Sequence, residues 1–301
     1  MGKVKTILFG MTGFGNSAVE ALTEHDKTDL IAIFTSKRQE RPFPYYPCDH
    51  LYKMVRDKGI PVYEGLRVKE VPNFELIRSL SPELIIVSTF NQIITKEIIQ
   101  IPKYGVINIH PSLLPQYRGT TPTVWVLLNG EEETGVSTHF IVDETIDSGR
   151  IILQSRLKIM PDDTDGTLRF RLAELSKTTL SGAINLVLTA DRTSFSPQDE
   201  SLATYFRKRT IQDAEINKDS PFEEIINRIR AMTPFPGARI FHQGKWHIIR
   251  NASLMAKTAP GRSKESHEKA LMIRNKYGRI KFEVQDDHVH AEESAKVNVN
   301  L

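Results

Sequence analysis

The stretch Val4-Lys5-Thr6-Ile7-Leu8-Phe9-Gly10-Met11-Thr12-Gly13-Phe14-Gly15-Asn16 runs from a short apolar segment into a glycine-rich turn and then the start of a helix. Two further apolar runs, residues 30–34 and 84–87, are equally short and rich in Ile and Leu or Val, with amphipathic stretches at 16–24 and 50–58 between them. Brief runs that do not alternate with polar residues suit strands buried on both faces, and amphipathic stretches between them suit the covering helices. A strand over 105–110 and a helix over Pro122–Leu128 continue the rhythm, and 135–143 and 150–159 read as a later strand pair around a turn. The expected fold class is α/β, an open, Rossmann-like and mainly parallel sheet.

Further along, Asp165–Thr189 reads as one amphipathic helix with Leu168, Leu172, Leu175, Leu180 and Ile184 on its apolar stripe. The next stretch is polar and contains Pro197, which sets the expected organisation: a catalytic domain at 1–190, a linker at 191–203 and a smaller domain at 204–301. Beyond a helix near Phe222–Met232, glycine-punctuated segments at 239–250 and 270–284 suggest a β-rich, OB-like barrel, and the polar stretch 285–301 is expected to fray. With 40% hydrophobic and 26% charged residues the 301-residue chain reads as globular, and its one cysteine, Cys48, makes no internal disulfide, so a cytoplasmic protein without membrane association is expected. The opening MGKVKTILFG has too short an apolar run for a signal or a span.

The glycine turn invites a dinucleotide reading. Its order is G-x-x-G-x-G, however, and the second strand ends in Thr35-Ser36-Lys37 where a ribose-binding acid would stand, so a Rossmann oxidoreductase is a remote alternative. Asn16 is also explained as a helix cap.

The chemistry points elsewhere, to Asn108-Ile109-His110-Pro111-Ser112-Leu113-Leu114-Pro115-Gln116-Tyr117-Arg118-Gly119, where a strand passes into a proline- and glycine-marked loop. Strand alternation places Asn108 and His110 on one face at the carboxyl end of the strand, where open α/β sheets bind ligands. An amide and an imidazole side by side can both donate to the oxyanion formed when a nucleophile attacks a carbonyl. Asp147, in Asp143-Glu144-Thr145-Ile146-Asp147-Ser148-Gly149, lies in a turn able to return it to His110. An Asn and a His ending a strand can equally serve to satisfy loop backbone groups. His139 lies on a strand that can approach the same place, whereas His288 and His290 form an isolated pair.

NIHPSLLPQYRG, TTPTVWVLLNGEEETGVSTHFIVDETIDSG and DDTDGTLRFRLAEL, in this order and spacing, resemble the folate-dependent formyltransferases, and ATYFRKRT and RAMTPFPGARIF extend a weaker likeness to the two-domain members. The resemblance implies a catalytic trio of Asn108, His110 and Asp147, with 10-formyltetrahydrofolate as co-substrate, no metal and no covalent enzyme intermediate. It implies direct transfer to an amine, in which Asn108 and protonated His110 stabilise the oxyanion while Asp147 orients His110. It also implies a folate pocket on two loops, carrying Phe90, Asn91, Gln92 and Ile93 on one and Val142, Asp143 and Glu144 on the other. A catalytically silent folate- or nucleotide-binding module is the alternative from a different class.

Acceptor candidates are Gly13 and Asn16 at the glycine turn, Tyr45 and Tyr46, Ser112 and Arg118, the last two also explicable as loop anchors. Members acting on Met-tRNA carry a Lys- and Arg-rich loop after the second strand. Here residues 36–47 turn from Lys37-Arg38 to Pro42-Phe43-Pro44-Tyr45-Tyr46-Pro47. Residues 204–301 carry 18 Lys and Arg against 12 Asp and Glu, which a nucleic-acid ligand and an evenly solvated surface explain equally well. Tyr45, Tyr46 and the later Arg207-Lys208-Arg209-Thr210 segment resemble the sugar-nucleotide members, which implies a nucleotide-linked amino sugar as acceptor, with initiator Met-tRNA as the alternative and DNA not expected.

Overall fold

The computed structural model describes residues 2–37, 43–255 and 270–285. The described residues divide into two units, one comprising the chain up to Pro122, Glu132–Ile159 and Thr167–Arg207, the other Thr123–Glu131, Met160–Gly166 and the chain from Lys208. Two segments from inside the expected first domain therefore group with the C-terminal part. Among the described residues no helix is long and apolar enough to cross a membrane.

In the first unit β1 (Val4–Gly10), β2 (Thr28–Thr35), β3 (Val62–Glu64), β4 (Leu84–Ser88) and β5 (Val106–His110) run parallel. Between them come α1 (Phe14–Glu24), α2 (Leu51–Val55), α3 (Val71–Ser79) and α4 (Lys96–Ile99). After the two-residue β6 (Arg118–Gly119) and α5 (Pro122–Leu128), β7 (Glu133–Ile141) and β8 (Ile151–Lys158) close the sheet with antiparallel pairing, in the order β3-β2-β1-β4-β5-β7-β8. Burial explains the sequence pattern: every residue of β4 is buried, whereas β8 at the edge mostly alternates from one face to the other. On one face Ile7, Phe9, Phe34, Ile77, Ile85, Val87 and Val106 form a continuous core.

The strand order reverses direction between β1 and β4, the kind of position at which open sheets take ligands. Gly10 sits beside Ser88, and Ser88 beside Ile109, so the carboxyl ends of three parallel strands are level with one another. The helix α6 (Asp165–Thr189) follows. The stretch expected as a linker holds two 3-10 turns, and just past it β9 (Tyr205–Phe206) pairs in parallel with β6.

The second unit carries α7 (Phe222–Met232), which buries Ile225, Ile229 and Met232. Its four-stranded antiparallel sheet joins β10 (Ala238–His242), β11 (Lys245–Met255), β12 (Ala270–Asn275) and β13 (Gly278–Val284) in the order β10-β11-β13-β12. This is the β-rich element expected. Gln243 and Gly244, both at positive φ, make the two-residue β10–β11 turn whose twist matches the flanking strands. His288, His290 and all but the first residue of the stretch expected to fray lie outside the described residues, as does part of the loop after β2.

Candidate active site

Strand pairing assembles the site. In the β5–β7 ladder Asn108 stands opposite His139, and His110 opposite Ser137. The turn after β7 then brings Asp147 back. A Cβ on Gly149 would lie 1.7 Å from the Phe140 carbonyl oxygen, so only glycine lets this turn lie so tightly on β7, and Asp147 itself takes a left-handed φ of 54°. Asp147 Oδ1 accepts a hydrogen bond from Asn108 Nδ2 at 3.1 Å, and Oδ2 accepts one from the Gly119 N–H at 2.9 Å and lies 3.4 Å from His110 Nδ1. The three side chains expected to act together thus meet around one carboxylate.

Each has a defined state. His110 is 4% exposed, and its Nε2 lies 2.8 Å from the Tyr117 carbonyl, which can only accept, so Nε2 carries a hydrogen and Nδ1 is the nitrogen able to exchange a proton. Burial pushes the imidazole below its ordinary value, Asp147 and the Tyr117 carbonyl opposing it. Oxygen atoms thus face both ring nitrogens, the Tyr117 carbonyl at Nε2 and the Asp147 carboxylate at Nδ1. Burial by itself would raise Asp147, but His110, His139 and the Gly119 N–H outweigh it and hold the carboxyl well below the usual carboxylate range. An anion beside the imidazole is placed to stabilise its protonated form.

A second layer holds this centre. Gln198 Nε2 donates to the carbonyls of Asp147 and Gly149, while its Oε1 accepts from Arg118 Nε and Nη2. Arg118 also grips Glu200 with both terminal nitrogens, at 2.8 and 2.7 Å, and donates to the Tyr205 hydroxyl. Its guanidinium is wholly buried. The possibility that Arg118 faces acceptor anions is corrected here: it anchors the loop, because Gln198, Glu200 and Tyr205 surround it. Ser112 is likewise buried and donates to the Gln116 carbonyl at 2.9 Å, as a loop brace.

The remaining candidates make other contacts. Phe90 packs on core Phe9 with ring centroids 5.2 Å apart, while Gln92 clamps the loop 66–68 by accepting from the Val68 N–H and donating to the Leu66 carbonyl. Ile93 and Val142 are exposed apolar side chains, as is the neighbouring Ile146. Asn91, Asp143 and Glu144 are also exposed, Asp143 accepting from the Thr145 N–H. Gly13, Asn16 and Tyr46 line one cleft of about 240 Å³ together with Asp49, Phe170 and Glu174. Asn16 accepts from the Gly13 N–H and donates to the Asp49 carbonyl, which stabilises the turn. Tyr46 packs edge-on against Phe43 and Phe170, and Arg169 lies over the Tyr45 ring at 4.3 Å.

Sequence reasoning did not reach Gln198, Glu200, the Gly119 N–H or the contacts of His139. Gly119 stood at the end of the quoted loop, but the others needed the strand register or a contact across about eighty positions.

Residues 4–184 match the family model described as formyl transferase, and residues 208–297 match the model of the formyl transferase C-terminal domain. The chain belongs to the formyl transferase family. Similar family members include the methionyl-tRNA formyltransferase of Pelotomaculum thermopropionicum, 33% identical over 92% of this chain and 89% of that one. Another is the methionyl-tRNA formyltransferase of Syntrophus aciditrophicus, 38% identical over 88% of this chain and 84% of that one. Among solved structures, the N-formyltransferase from Helicobacter canadensis in complex with folinic acid and dTDP-3-aminofucose superposes with a TM-score of 0.68 at 22% identity, covering 94% of this chain and all of that one. At that identity the likeness speaks to the fold. This formyltransferase is thus a transferase whose relatives differ in the amine their names and titles point to.

Proposed function

We propose that this formyltransferase moves the formyl group of 10-formyltetrahydrofolate to a primary amine, with Asn108, His110 and Asp147 as the catalytic groups. The observation that carries the proposal is the convergence of amide, imidazole and buried anionic carboxylate around Asp147. The amine attacks the formyl carbon, and negative charge builds on the formyl oxygen. His110 Nδ1 takes the proton the amine loses, directly or through water, and Asp147 stabilises the resulting imidazolium. Asn108 Nδ2–H and the imidazolium stabilise the oxyanion. As the carbon–nitrogen bond to the folate breaks, the same proton passes to the folate nitrogen and His110 returns to its neutral form. Exposed Ile93, Val142 and Ile146 supply apolar surface for the folate ring, and Phe90, half in the core, fixes the loop behind them.

For the acceptor we favour the α-amine of methionyl-tRNA. Support comes from the relatives that bear that name over most of both chains, and from Tyr45 and Tyr46, on which the amino-sugar expectation rested in part, being packed against Arg169, Phe43 and Phe170. A nucleotide-linked amino sugar is the second reading, supported by the ligand of the Helicobacter canadensis enzyme and by the cleft beside the glycine turn. Incubation with 10-formyltetrahydrofolate and either charged initiator tRNA or dTDP-linked amino sugars separates them. Formylation of the tRNA is expected, and rapid formylation of the sugars with none of the tRNA would reverse the preference.

A further inference from the structure

His139 is 1% exposed, stands directly across the β5–β7 ladder from Asn108, and has no part in the reaction outlined above. Its Nδ1 lies 2.9 Å from the Phe140 carbonyl oxygen, which only accepts, so Nδ1 carries a hydrogen. Its Nε2 lies 3.0 Å from Asn108 Nδ2 and 3.4 Å from Asp147 Oδ1. One hydrogen arrangement satisfies the two shorter contacts, those of Nδ1 with the Phe140 carbonyl and of Nε2 with Asn108. Turning the Asn108 amide over would set its oxygen 3.1 Å from an anionic carboxylate oxygen, so Nδ2 must face Asp147. A hydrogen on His139 Nε2 would then point at an amide nitrogen that has only donors. The ring therefore carries its hydrogen on Nδ1 and accepts from Asn108 at Nε2, and the two Nδ2 hydrogens of Asn108 divide between Asp147 and His139.

We propose that His139 is a positioning residue for formyl transfer, holding the Asn108 amide with its nitrogen toward the reacting centre and lending it a bond that is surrendered to the oxyanion. The two bonds made by Nδ2 differ in kind. The one to Asp147 is charge-assisted and roughly twice as strong as a neutral bond, so it persists. The bond to the imidazole nitrogen, which bears no negative charge, is the weaker, and its hydrogen is the one that swings to the formyl oxygen as negative charge grows there. In the resting enzyme His139 thus keeps the amide from rotating, so little reorganisation remains when the substrate arrives. The inference rests on the formyl-transfer reading, although the hydrogen arrangement can be measured without any turnover.

The test compares wild type, His139→Leu and His139→Gln in the full chain. Leucine removes the acceptor, and glutamine can restore one near Nε2. Loss of one positioned neutral hydrogen bond corresponds to about tenfold in rate, so His139→Leu should lower kcat about tenfold with the KM for 10-formyltetrahydrofolate changed less than about twofold, and His139→Gln should recover to within about threefold. A merely structural role would lower thermal stability in both variants without this split between kcat and KM or the rescue. Nitrogen NMR of ¹⁵N-histidine-labelled protein, assigned by the signal lost in His139→Gln, should show His139 with its hydrogen on Nδ1 and a bare Nε2. Wild-type kcat in His139→Leu, no rescue by glutamine, or a hydrogen on Nε2 would each overturn the proposal. If the wild type formylates neither charged tRNA nor amino sugars, the reaction assigned above falls and the catalytic part of the proposal with it, and the NMR result then decides only whether His139 holds the Asn108 amide: a bare Nε2 upholds that hold and a hydrogen there removes it.

Discussion

Two regions beside the carboxyl edge of the sheet are built on opposite principles. Around Asp147, polar side chains are buried and paired: Asn108, His110, His139 and the Gly119 N–H converge on one carboxylate, with Gln198, Arg118 and Glu200 behind. Around the glycine turn, packing is aromatic, with Phe43 touching Tyr45 and Tyr46 and the Tyr46 hydroxyl buried without a partner. A satisfied polar network fixes where charge and protons go, because each donor has one acceptor to face. An aromatic loop fixes shape and leaves chemistry to what it encloses.

Replacing the hub of the polar region tests this contrast most severely. Asp147→Asn removes the charge that stabilises a His110 imidazolium and opposes an amide to the Asn108 nitrogen, so kcat should fall by about a thousandfold, within the range for a lost proton-transfer partner. Single-turnover formyl transfer reads this directly, and a loss under tenfold would mean that the carboxylate only braces the loop.

The next largest effect is on stability. Arg118→Met returns Glu200 to solvent but leaves the buried Gln198 Oε1 without its donor, and unfolding in urea should show a loss of about 1–3 kcal/mol. Arg118→Lys, which cannot grip Glu200 and Gln198 together, should fall in between.

Acid should sharpen the comparison. Because burial lowers the His110 value from an ordinary 6.5, the folded state binds fewer protons than the unfolded chain between that lowered value and about 6.5, so stability falls as pH drops through this window. Asp147, lowered from 3.8, adds stability present above about 3.8 that is lost on further acidification. Urea midpoints from pH 7 to 5 should decline in the wild type and flatten in His110→Gln, and parallel curves would show that the slope arises elsewhere.

The smallest effect belongs to the aromatic region. Tyr46→Phe removes a buried hydroxyl that has no partner, the same burial that makes this phenol a weaker acid than usual, and the urea midpoint should stay the same or rise by the equivalent of up to about 1 kcal/mol. A clear loss would reveal a polar contact at that hydroxyl.

Much of this molecule is legible along the chain. The brief Ile- and Val-rich runs mark strands buried on both faces, and the alternation that puts Asn108 and His110 on one side is a property of any strand, so fold class and two catalytic candidates follow from local rules. The glycine at 149 marks a tight turn, though nothing nearby says that the turn lies against Phe140. Arg118 shows the limit: in the sequence it could face a ligand or an anchor, because its partners stand about eighty residues away.

The sequence by itself determined the alternation of strands and helices, the turn chemistry and the residue types able to carry acyl transfer, since these depend on backbone geometry and on neighbours a few positions apart. The tertiary structure decided which nitrogen of His110 can move a proton, which side chains hold Asp147, and that His139 faces Asn108. Those outcomes depend on strand register and burial, and hydrogen bonds between distant residues exist only once the chain has closed on itself.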